Sequence, residues 1–211
     1  MNPHTRDVLE DCTRFLVEQG LTRKRRGLAY WKIDQEIAGA VFLQHRDLAD
    51  GAVRVEAAPQ VYWEPVERIF SAGNDTHYQA FVAPTRTRQV IFRCAHAGTP
   101  IFHESENRSE SLALLRDHLH NRVLPKVKEM AEKPRIFDFY RSEVPAGGGR
   151  PEMYLAMSAW EKRSLDLDGE LDWICSLLTD DQLKDSVKKF YARLKSIGHA
   201  QLFDIAVGKK P

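Results

Sequence analysis

Residues Gly20–Trp63 read GLTRKRRGLAYWKIDQEIAGAVFLQHRDLADGAVRVEAAPQVYW, and their alternation decides the fold class. Leu28, Tyr30 and Ile33 alternate with Ala29, Trp31 and Lys32, and aromatic and β-branched content favours strand. Asp34–Gln35–Glu36 is a polar turn. Ile37–His45 is an almost continuous apolar run, short enough for a strand covered on both faces. Asp47–Gly51 is the next turn. Val53, Val55 and Ala57 then alternate with Arg54 and Glu56, the pattern of a half-buried strand. Pro59 is expected to interrupt or end it, because proline gives no N–H to a ladder. Val61–Trp63 continues as an edge strand. This is an antiparallel meander laid down in chain order.

Upstream, Val8, Leu9, Cys12, Phe15 and Leu16 recur at helical spacing within Thr5–Gln19,. Gly20 stands where a C-terminal cap glycine belongs. Downstream, Glu64–Phe70 reads as a short helix opened by Pro65. Tyr78–Pro84 and Arg88–Ala95 are two further candidate strands. Ser109 opens a helix with the stripe Leu112, Leu115, Leu119 and Val123, which Pro125 should kink or end near Leu124, with helix resuming over Lys126–Glu132. Pro134–Val144 is too aromatic to face solvent throughout. Glu152–Lys162, Leu167–Leu178 and the stretch from Leu183 to Ile197 are helical. Thr179 and Gln182 are spaced as a capping box, and Gly198 closes the last helix. The fold class is therefore α+β: an N-terminal helix, an antiparallel β-meander, helices packed on one face, and a helical C-terminal part. Ala146–Gly149 is the expected boundary, with a sheet domain over 1–145 and a helical extension over 150–211 packed on it; the alternative is one single domain.

The chain has 211 residues, enough to bury a core in one domain without staples,. Cys12, Cys94 and Cys175 are far apart and form no CxxC, so neither a disulfide scaffold nor a zinc ribbon is expected. Cys12 and Cys175 fall on apolar helix positions, as buried thiols do. There is no apolar leader and no membrane-length apolar run, so the expected location is cytoplasmic.

Spacing for chemistry is sparse. GxSxG, P-loop, HExxH and GxGxxG patterns are absent,. His96 and His103, with Glu104 or Glu106, flank a turn without ligand spacing. Cys94 and His96 lack a third, orienting group. His118 and His120 are two apart on a helix and point to different faces. The expectation is a protein with no cofactor and no metal that is not an enzyme.

Two charged stretches remain as candidate binding surfaces. Arg23, Lys24, Arg25 and Arg26 precede Tyr30 and Trp31, a basic and aromatic combination able to hold phosphates and stack on bases. A solvated loop between the first helix and the sheet is the plainer reading. Between Asp166 and Asp185 seven acids face Lys184 alone, an excess of six negative charges in a chain of formal net charge +1. Asp166, Asp168, Glu170, Asp172, Asp180 and Asp181, with Trp173 among them, form a candidate docking surface for a basic partner. Part of this acidity has a structural cause, since helix first turns favour acids.

Gly20, Leu21, Arg23–Arg25, Gly27, Tyr30 and Trp31 follow a helix that ends in glycine and lead into apolar strands. In this order the stretch resembles a group of small bacterial domains of unknown function found among polymorphic-toxin loci, where several unrelated folds serve as immunity proteins. The resemblance covers the first quarter to third of the chain and carries over no functional residues. It implies a cytosolic immunity protein that occludes the active site of a cognate toxin, and the acidic helices make a basic surface on that toxin the expectation. The alternative is a nucleic-acid-binding or nucleic-acid-processing protein working through Arg23–Trp31.

Overall fold

A computed structural model of the chain describes residues 2–76, 78, 100–103, 108–147 and 150–209. The candidate strands at Tyr78–Pro84 and Arg88–Ala95, with Cys94, His96, Glu104 and Glu106, lie outside the described residues, Tyr78 excepted.

Helix α1 (Pro3–Glu18) starts at Asn2, whose side chain accepts from the Thr5 N–H at 2.6 Å,. It buries Val8, Leu9, Cys12, Phe15 and Leu16, the stripe expected from spacing. Gly20 takes φ +89°, a conformation costly for a residue with a Cβ,. The Gly20 N–H reaches the Val17 carbonyl and the Leu21 N–H the Leu16 carbonyl, which closes the helix in a Schellman motif,. Leu21 is buried, as the hydrophobic contact of that motif requires.

Five strands follow in the order β1-β2-β3-β4-β5 across one antiparallel sheet. They are β1 (Thr22–Arg25), β2 (Leu28–Lys32), β3 (Ile37–Asp47), β4 (Val53–Trp63) and β5 (Ile101–Phe102). Asp34 builds the β2–β3 turn by accepting from the Glu36 and Ile37 N–H groups, both at 2.7 Å,. Asp50 does the same for the Ala52 N–H in the β3–β4 turn. Pro59 does not end β4, contrary to expectation. The short β5 pairs only with Val53 and Arg54. Beside Pro59 no strand lies beyond β4 among the described residues, and proline is tolerated in a strand where its missing N–H faces no partner,.

The division into compact units cuts across the chain. The described residues within Met1–Tyr62 and Val90–Glu132 form one unit, and those within Trp63–Gln89 and Lys133–Pro211 the other. Ala146 and Gly147 lie inside the second unit. In the first, α1 packs on β1, β2 and β3. A helix of three parts follows: α3 (Arg108–His118), a π turn (Leu119–Val123) and α4 (Leu124–Met130). The π turn is the answer to Pro125. The Leu124 N–H bonds the Leu119 carbonyl five residues back, so the helix widens just before the ring and continues through it,. Leu115, Leu119, Val123 and Val127 are fully buried along this length. Gly39 of β3 is needed for a close approach: a Cβ there would lie 2.6 Å from the Trp31 ring and 2.7 Å from Val127.

The second unit is helical: α2 (Glu64–Gly73), α5 (Lys133–Glu143), α6 (Arg150–Lys162), α7 (Asp168–Leu177), α8 (Asp181–Ile197) and α9 (His199–Ala206). Helix α6 is its axis. Residues Pro151–Trp160 are all buried, which is why its apolar residues run round every side,. Helix α2 packs on α6, α8 and α9 through Val66, Ile69 and Phe70. The N-cap of α8 is Asp180, one residue later than the expected Thr179. Its carboxylate accepts from the Gln182 N–H at 2.7 Å and the Leu183 N–H at 3.4 Å. The charged cap side chain displaces the neutral one at the same helix end.

Candidate functional site

The basic run is an exposed strand, β1, at the edge of the sheet. Its cations are largely engaged. Glu10 of α1 holds both Arg23 and Arg26, the latter at 3.4 Å, and Arg23 holds the Glu10 carboxyl below the usual carboxylate range. Arg25 lies over the Phe42 ring at 5.9 Å. The register between β1 and β2 slips between Arg23 and Arg25, leaving Lys24 as the extra residue,. Tyr30 and Trp31 are neighbours in β2 and point to opposite faces. The Trp31 ring covers Gly39 and Val127. Four cations and two aromatics adjacent in sequence are thus distributed among α1, β3 and α4, and no continuous basic and stacking platform is formed by them.

The acidic stretch keeps a surface, although three of its acids are paired. Glu170 binds Lys162, Asp168 binds Lys195 at 2.9 Å, and Asp181 binds Lys184 at 3.1 Å. Lys195, and after it the Tyr191 hydroxyl, hold the Asp168 carboxyl below its ordinary value. Asp180 caps α8. Asp166, Asp172 and Asp185 are exposed and have no ion-pair partner among the described residues. Trp173 is half-buried. Its ring centre lies 5.3 Å from that of Tyr154 on α6, and Arg141 of α5 stands 5.5 Å from its centroid. It is therefore a packed residue with one side open, and both readings of its position on α7 meet in it.

The remaining candidates are spread out. His118 is partly buried, and burial, followed by Arg122, pushes its imidazole below the ordinary value. His120 bonds Gln19 at 2.8 Å. His103 stands 4.0 Å from Asp50. Cys12 is fully buried and its thiol is pushed up to about 12 by that burial, whereas Cys175 is half-buried,. Among the described residues no group of three or more His, Cys, Asp or Glu side chains is placed to hold a metal ion. No helix among them is long and apolar enough to cross a membrane.

Sequence reasoning missed the polar groups inside the helical unit. Ser71, Glu152 and Ser158 are buried, and Ser71 Oγ, Glu152 Oε2 and Ser158 Oγ have no hydrogen-bond partner among the described residues. Ser186 donates to the other Glu152 oxygen at 3.0 Å. The available signal was the segment EMYLAMSAWEK, in which a serine sits among residues that leave no polar face. Comparison with protein families, with characterised proteins and with solved structures finds no match to this chain.

Proposed function

We propose that this chain is a binding protein that captures a basic protein partner through the acidic side of α7 and the start of α8. The observation that carries this reading is that Asp166, Asp172 and Asp185 are exposed with no ion-pair partner among the described residues, Asp172 standing next to the half-buried Trp173 in α7. Unpaired charges of one sign speed the encounter with an oppositely charged partner, and an aromatic side chain anchored on one side suits the centre of an interface. Asp168, Glu170 and Asp181 contribute less, because each already has a lysine, and Asp180 serves its helix. The kind of partner comes from the resemblance at Gly20–Trp31: a bacterial toxin whose active site the bound protein occludes. The nucleic-acid alternative loses support from the ion pairs that engage Arg23 and Arg26.

The test compares the chain with an Asp166→Asn, Asp172→Asn, Asp185→Asn variant that leaves the Asp180 cap intact. Both are used to co-purify partners from the source cells, and association with the recovered partner is followed against ionic strength. The expected result is a partner with a basic surface, with association slowed by salt and slowed about tenfold by the three substitutions. An unchanged rate and salt slope in a folded variant would refute this surface. Substitution of Trp173 by alanine should instead raise the dissociation rate.

A further inference from the structure

Helix α7 has no side-chain cap of its own. Its N-cap is Leu167, which has no polar side chain to offer,. The chain arrives there from α6 through a short loop. Helix α6 closes in a Schellman motif with Arg163 at φ +50°,. The Arg163 N–H meets the Trp160 carbonyl at 3.4 Å and the Ser164 N–H the Ala159 carbonyl at 3.3 Å. The Ser164 hydroxyl then accepts from the Asp166 N–H at 3.0 Å,. The next support comes from α8. The Tyr191 hydroxyl accepts from the Leu167 N–H at 2.9 Å and donates to the Leu165 carbonyl at 2.8 Å. One hydroxyl thus uses both its capacities on backbone groups to either side of Asp166. Tyr191 is 3% exposed and Leu167 0%, so water does not stand in for the Leu167 bond if the hydroxyl is removed,.

A second tie runs beside the first. Lys195 is one helical turn beyond Tyr191 on α8,. Its ammonium lies 4.5 Å from the centre of the Tyr191 ring and 2.9 Å from the Asp168 carboxylate at the start of α7. Asp166 sits between the two loop residues that the hydroxyl binds, Asp172 follows in α7, and Asp185 belongs to α8 itself. The exposed acids of this surface therefore come from three segments, and Tyr191 links the loop and the start of α7 to α8.

We infer that Tyr191 is a positioning residue of the acidic surface: its hydroxyl fixes the Ser164–Leu167 loop to α8 and sets where Asp166 and Asp172 stand relative to Asp185. The inference rests on the reading of that surface as a binding site. Tyr191 is buried and touches no partner itself. Its effect is preorganisation, because a partner that meets carboxylates already in place does not have to order the loop on binding. Tyr191→Phe removes no formal charge, so the long-range attraction stays while the arrangement loosens.

The experiment uses the full chain, with decalysine as the basic probe in calorimetric titration at low ionic strength. In the unaltered protein the Leu167 amide should resist hydrogen exchange. Exchange there as fast as in an unstructured peptide would overturn the inference before any variant is made. Tyr191→Phe should speed exchange at Leu167 by about tenfold or more, beyond any change at Met157 in the middle of α6. It should also move the Asp168 carboxyl titration up towards the ordinary carboxylate range, and weaken decalysine about three- to tenfold,. Val187→Ala is the control, a core change on the same helix,. It should lower the melting temperature and leave both the Asp168 titration and the decalysine affinity as they are. Unchanged decalysine affinity in Tyr191→Phe, or an equal loss in Val187→Ala, would refute the positioning role. The Asp166→Asn, Asp172→Asn, Asp185→Asn variant separates this from the reading beneath it. Weaker decalysine binding there, with none lost in Tyr191→Phe, leaves the surface standing without Tyr191. No loss in either removes both.

Discussion

At the scale of single residues, the tightest demand in the sheet is at Gly39. Its hydrogen occupies the place where any Cβ would strike the Trp31 ring at 2.6 Å and Val127 at 2.7 Å. One of these neighbours is an aromatic ring held on β2 and the other a fully buried helix residue, so neither yields easily. Gly39→Ala should therefore cost about 1–3 kcal/mol by overpacking. The cost should shrink when Trp31→Leu is added, because the two substitutions share one space. Urea unfolding midpoints of the two single variants and the double variant check this, and simple additivity would show that the contact is not the cause. Gly39 also illustrates what a sequence hides. The run IAGAVFL announces a buried strand, but not which residue has to lack a side chain. That depends on Trp31 and Val127, partners 8 and 88 positions away.

At the scale of elements, the basic run gains a meaning that charge counting did not give it. As β1 it is the edge of the sheet, where unpaired backbone groups invite another strand,. Charged side chains on an edge oppose that pairing, and the slip at Lys24 distorts it further,. Lys24→Val with Arg25→Val leaves both Glu10 ion pairs in place. Stability should change by no more than about 0.5 kcal/mol. Self-association measured by light scattering should rise with concentration, and unchanged scattering would remove the protective role. Most elements were legible because their periodicity is local: α1, β2, β3 and α8 lie within a few residues of their expected limits. Those misread depend on neighbours. Pro59 stays within a strand that has no described strand beyond it at that point, Pro125 is passed by a π turn upstream rather than by a break at Leu124, and α9 is too short to display a stripe of its own. Of the candidate site, the acidity of α7 and α8 was legible. The two lysines that pair with Glu170 and Asp168 were not, since Lys162 and Lys195 lie outside the segment.

At the scale of the whole molecule, each compact unit is assembled from two separate stretches of chain. The helical unit takes α2 from before the long helix of the other unit and everything from Lys133 onward from after it. Val66, Ile69 and Phe70 of α2 are buried in that unit, so a fragment spanning 150–211 lacks both α2 and α5. Such a fragment should show no cooperative thermal transition by circular dichroism, in contrast to the full chain. A cooperative melt of the fragment would restore the simpler division at the glycines.

The early position of α2 has a consequence during synthesis. The ribosome releases Glu64–Gly73 long before the helices that cover it exist. At roughly 5–20 residues per second, the chain from Gly73 to Lys133 takes about 3–12 s to appear. Through that interval the apolar side of α2 has none of its final partners α6, α8 and α9 to pack against. Slow codons between 74 and 132 would lengthen this exposure rather than help the chain fold.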